Sequence, residues 1–145
     1  MRHPMNFMLS LLFAVSAGVP AYAADISVTN AWFRALPGGL PAGGYFSLKN
    51  SGASPVILTG AESAACGMLM MHQSSENGGV SRMDDVRSLS VPADGSITFA
   101  PGGYHLMCMN PAAAMAPGKT VEVTLNFANG THIKANFAVR NAAGK

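Results

Sequence analysis

The chain has 145 residues, of which 49% are hydrophobic and only 11% charged, with a formal net charge of +2. That length suffices for one domain with a core of its own. The basic residues from Arg34 to Lys145 are scattered singly, which excludes a nucleic-acid footprint, and no charged tail, repeat or low-complexity linker stands out.

The N-terminus reads as an export signal over residues 1–23. Arg2 gives a positive n-region, Phe7 to Ala17 an apolar h-region, and Ala21-Tyr22-Ala23 an A-x-A cleavage site. The apolar run is too short to span a bilayer. No cysteine lies near the cut, so no membrane anchor is expected. The expected product is a periplasmic protein cut near Ala23, with one domain over 24–145 carrying a formal charge of +1 once Arg2 is removed.

Beyond the signal the hydrophobic period is two. Short runs rich in aromatic and β-branched residues, separated by Gly, Pro and Asn, predict strands at 26–33, 44–50, 55–60, 67–74, 80–86, 95–100, 104–109, 120–128 and 132–139. No window of helical length carries an amphipathic stripe. The pattern predicts an all-β fold, an antiparallel sandwich or Greek-key barrel. Asn129-Gly130 predicts a type I′ turn joining the last two strands, and the Gly-rich stretch Pro37 to Gly44 reads as a turn.

A second hairpin signal lies in MHQSSENGGVSRMDD. A two-residue turn at Asn77-Gly78 sets His72 opposite Met83, with Cβ atoms about 4.5 to 5.5 Å apart. A turn at Gly78-Gly79 instead makes them diagonal neighbours, still on one face. Further on, alternation in YHLMCM puts His105 and Met107 on one face and Leu106 and Cys108 on the other.

Each pair offers one imidazole and one thioether. Should the strands meet, four side chains can surround one ion. Soft, neutral thioethers favour Cu(I) over Zn²⁺, and calcium or magnesium would want oxygen. A single Met on a strand is ordinarily a packing residue, and Met68, Met70, Met71, Met109 and Met115 are read that way. His132 reads as structural or surface-exposed. The conjunction is what argues for a site: after the signal, six of seven methionines and two of three histidines fall between Met68 and Met109.

His72, Met83, His105 and Met107 fit H-x10-M-x21-H-x-M, and in this the chain resembles the periplasmic copper chaperones written PCu(A)C. The resemblance extends to AWFRALPGGLPAGGYFSLKNSG and VPADGSITFAPGGYHLM. It implies a cupredoxin-like antiparallel Greek-key β-sandwich with Cu(I) held by those four residues. It also implies delivery to the dinuclear copper site of cytochrome c oxidase, through that subunit or a thiol-containing assembly factor. Many family members have Met directly after the first His, where this chain has Gln73. The chain ends VRNAAGK rather than in a His- and Met-rich extension, so one primary copper site is expected, in a monomer. Because metal must displace protons from imidazole, binding should weaken in mild acid.

Cys66 and Cys108 are most simply a disulfide in an oxidising compartment. Alternation, however, sets Cys66 on the His72 face and Cys108 away from the His105 face, so a bond needs a twist or bulge, for which Gly67 is a natural site. Two other readings remain open: a blue-copper electron carrier, which needs a His₂Cys set, and a metal-free interaction sandwich. No enzyme is expected. Asp84 and Asp85 point to opposite faces of a strand, and no phosphate loop, catalytic triad order or dinucleotide fingerprint appears.

Overall fold

The computed structural model describes residues 25–145; the expected signal peptide lies outside the described residues. Every run with period two becomes a strand. These are β1 Ile26–Arg34, β2 Ala42–Asn50, β3 Val56–Glu62, β4 Cys66–Asn77, β5 Val80–Asp85, β6 Leu89–Val91, β7 Gly95–Phe99, β8 Tyr104–Pro111, β9 Thr120–Phe127 and β10 His132–Arg140. Hydrogen bonding follows the order β5-β4-β8-β2-β1-β10-β9-β3-β6, with β7 also on β2. The sheet folds over one core, which Phe33, Phe46, Phe99, Phe137, Leu58 and Leu125 fill from distant strands. Among the described residues no helix is long and apolar enough to cross a membrane.

The cupredoxin-like sandwich is therefore present, with one departure from a wholly antiparallel arrangement: β1 and β10 run parallel, Phe33 beside Val139. The Gly-rich stretch is only partly a turn. Pro37–Gly39 forms a short 3-10 segment, but Gly43 and Gly44 lie inside β2. Gly44 is needed for close approach, since a Cβ there would sit 2.5 Å from the Phe33 ring, which is fully buried.

A bulge in β1 decides which aromatic goes inside. Val28 faces Leu48, but after Asn30, whose φ is +52°, the register slips by one and Trp32 faces Tyr45. The extra residue turns Phe33 inward and leaves Trp32 and Arg34 outside. There Arg34 lies 5.3 Å and Arg140 4.7 Å from the Trp32 ring centre.

Along one edge of β2, β7 and β8 succeed each other. Phe46 pairs with Phe99, whereas Gly44 pairs with Leu106. The break between them, Ala100 to Gly103, closes through the Gly103 N–H donating to Ala100 O at 3.0 Å. Beyond it β8 also pairs with β4, which sets the candidate site. The three-residue β6 is held by β3 and by the buried Asn50, whose Nδ2 donates to the carbonyls of Ser54, Val91 and Pro92.

Candidate metal centre

The β4–β8 register sets His72 directly opposite His105. Their rings stand nearly perpendicular, at 86°, with centroids 5.7 Å apart. With metal–nitrogen bonds of about 2 Å, rings so placed can share an ion. Both side chains are buried, His72 at 9% and His105 at 5% exposure.

His105 is oriented from its own loop. Its Nδ1 lies 3.1 Å from the Gly103 carbonyl, which is fixed in turn by the Ser74 N–H at 3.0 Å. Donation from Nδ1–H selects the tautomer with a free lone pair on Nε2. That Nε2 is buried and has no hydrogen-bond partner among the described residues. Neither ring nitrogen of His72 has one either. Asp85 Oδ1 comes within 2.9 Å of His72 Nε2 as an ion-pair contact, without making a hydrogen bond. A neutral imidazole carries one N–H and one lone pair, so each ring leaves one buried lone pair without a donor, which is costly unless something else takes it, and a soft cation is what the two fit.

The hairpin takes the second of the two expected registers. Gly78 and Gly79, at φ +61° and +81°, form the turn as a left-handed pair. His72 therefore faces Asp85, and Met83 faces Ser74. Met83 is a diagonal neighbour of His72 on the same face, 53% exposed on the edge strand β5. Met107 lies two residues from His105, opposite Met70 on β4 and Gly43 on β2. The structure thus joins His72, His105 and Met107 on adjacent positions, with Met83 on the opposite flank.

Asp85 and Met70 were missed by sequence reasoning. In the sequence Asp85 is only one of two adjacent carboxylates on opposite strand faces, and only the Gly78-Gly79 register brings it to His72. Met70 read as core, yet it shares the His72 face. Asp85 Oδ1 lies against the His72 ring, so if His72 holds the ion, Asp85→Asn is expected to weaken Cu(I) binding by roughly tenfold, the low end for an outer-shell partner. Chelator competition measures this, and an unchanged affinity would exclude Asp85 from the site.

Cys66 and Cys108 form a disulfide with Cα atoms 5.3 Å apart. The ladder skips Gly67 and Asn110, and Asn110 rather than the glycine takes a positive φ of +48°. A Cβ on Gly67 would meet that of Asn110 at 3.0 Å, so the glycine makes room for the twist that carries Cys66 to the inner face. Among the described residues no three His, Cys, Asp or Glu side chains form a metal cage on their own.

The LpqE-like lipoprotein family model matches residues 26–139. The chain belongs to this PCu(A)C family. A relative from Leifsonia xyli subsp. xyli, Lxx21020, which bears a lipoprotein name, is 32% identical over 131 residues, 89% of this chain and 78% of that one. The copper-bound PCuAC domain from PmoF2 is 25% identical with a TM-score of 0.67, over 81% of this chain and 93% of its own. The Cu(I) form of DR1885 from Deinococcus radiodurans is 28% identical with a TM-score of 0.62, covering 76% and 74% of the two chains. This PCu(A)C domain thus shares its fold with proteins solved with copper in place.

Proposed function

We propose that this protein is an exported copper chaperone that holds one Cu(I) between His72, His105, Met83 and Met107. It passes the ion to the dinuclear copper site of cytochrome c oxidase, directly or through a thiol-containing assembly factor. The observation that carries the reading is a buried ring nitrogen without a partner on each histidine, Nδ1 of His72 and Nε2 of His105, with thioethers flanking them on one face. The copper-bound PmoF2 domain and Cu(I)-DR1885 support the cargo, and the lipoprotein name of Lxx21020 supports export.

The four donors are neutral, so none of them brings a negative charge to the ion. An anionic thiolate on a partner is a stronger ligand for it, which gives transfer its direction. Met83 is the natural first ligand to leave, because every residue of β5 is exposed and the strand lies at the sheet edge. Its departure needs no proton, and it opens the ion to a partner while His72 and His105 still hold it. The electron-carrier reading loses its thiolate, since Cys108 is bonded to Cys66 and faces the core.

Anaerobic titration of Cu(I) against a competing chelator tests the proposal. One tightly held, colourless Cu(I), released to a soluble copper-site domain of the oxidase, is expected. Failure to compete with the chelator, or an intense blue Cu(II) form that cycles reversibly, would overturn it.

A further inference from the structure

The β4–β8 ladder does not end at the histidines. One step along, Met70 faces Met107, and a further step along, Met68 faces Met109. With side chains alternating between faces, His72, Met70 and Met68 share one face of β4, and His105, Met107 and Met109 the matching face of β8. The opposite face, with Leu69, Met71, Leu106 and Cys108, is the one that joins the core. Two consecutive Met–Met rungs thus lead away from a His–His rung on the outer side of the sheet.

Packing does not account for them. Met71 and Met115 are core residues, but Met68, Met70, Met107 and Met109 neither belong to the core cluster nor pack against it. Met68 is 57% exposed, and the other three are half-buried. Strand surfaces favour β-branched and aromatic residues, whereas an exposed thioether gains little by burial and is open to oxidation. Directly opposed residues bring Cβ atoms to about 4.5 to 5.5 Å, within which two flexible thioethers can pinch one soft ion. Neutral sulfur without imidazole selects monovalent soft cations over zinc, calcium or magnesium.

We propose that Met68 and Met109, backed by Met70, form a second and weaker station for a soft monovalent cation, Cu(I) or Ag(I). It is joined to the histidine site through the Met70–Met107 rung. This extends the proposed copper site and departs from the single-site expectation. An ion can be taken up at the exposed thioether end and drawn to the stronger nitrogen donors, and no step changes its oxidation state.

The test is a titration of the purified protein with Ag(I), a redox-inert stand-in, followed by the ¹³C-methyl resonances of its methionines and the ring signals of its histidines. Two ions are expected. The first should move His72, His105 and Met107, and the second, bound at least about tenfold more weakly because it lacks imidazole donors, should move Met68, Met70 and Met109. The double variant Met68→Leu/Met109→Leu, altered only at outward-facing positions, should take one ion with its first affinity unchanged. A wild type that binds one ion and never moves Met68 or Met109 would overturn the second station and leave the histidine site standing. A double variant that still binds two would also overturn it. Movement of Met68 and Met109 with the histidine signals unaffected would instead support the station and sink the histidine site.

Discussion

His105→Ala is expected to lower Cu(I) affinity by more than about a hundredfold, beyond the loss that outer-shell changes at metal sites usually cause, with the fold retained. Its Nε2 is the nitrogen most clearly prepared for a metal, because the Gly103 carbonyl engages Nδ1 and nothing engages Nε2. Removing the ring also removes a buried polar atom that lacks a partner, so the apoprotein should not lose stability in proportion. Alanine at His72 should act similarly, since His72 pairs directly with His105. Chelator competition reads the affinity and thermal unfolding reads the fold. Wild-type affinity in a folded His105→Ala protein would remove this residue from the site.

Replacing Cys66 and Cys108 together by alanine is expected to cost about 4 kcal/mol of stability, the loop-closure value for a sequence separation of 42. For a domain of this size that lowers Tm by roughly 10 to 20 °C. The bond ties Cys66, the first residue of β4, to Cys108 in the middle of β8, opposite Leu69, so it straddles the Met68–Met109 rung and clamps the two strands whose register builds the site. Copper affinity should fall less than stability does, because the ladder near His72 and His105 has its own hydrogen bonds. Thermal unfolding of the double variant, compared with wild type with and without reductant, measures the effect. A change below about 1 kcal/mol would show that the loop is already constrained without the bond.

Period two, with Gly, Pro and Asn between the runs, located nine of the ten strands because each is long enough to alternate visibly. β6 escaped because three residues, Leu89 to Val91, cannot display a period, and its pairing depends on distant partners, β3 and Asn50. Turn chemistry was less decisive. Asn77-Gly78-Gly79 offers two overlapping pairs able to adopt left-handed conformations, and the glycine pair prevails. Between the last two strands the chain uses a three-residue loop, Ala128 to Gly130, instead of the expected two-residue Asn129-Gly130 turn. Phe127 N–H donates to Thr131 O, and Gly130 alone takes the positive φ, +85°, a common solution for a loop of that length.

Within the candidate site, the shared face of His105 and Met107 followed from alternation along one strand. The direct opposition of His72 and His105 did not, because it depends on pairing between residues 33 positions apart, which no local pattern encodes. Met70 and Met68 were read as core for the same reason: residue type alone says methionine packs, and only the partner strand reveals which face it occupies. The Cys66–Cys108 bond conflicts with strict strand alternation, and Asn110 resolves the conflict by leaving the β region. Asparagine tolerates that conformation better than most residues.

X-ray absorption at the copper edge of the Cu(I)-loaded protein tests the central claim most directly, because it reports the atoms bound to the ion. The expected result is a shell of two nitrogens, with the outer-shell scattering of imidazole rings, and two sulfurs at thioether distances, with the ring scattering lost from the His72→Ala/His105→Ala variant. A shell without sulfur, or one without imidazole scattering in the wild-type protein, would contradict it.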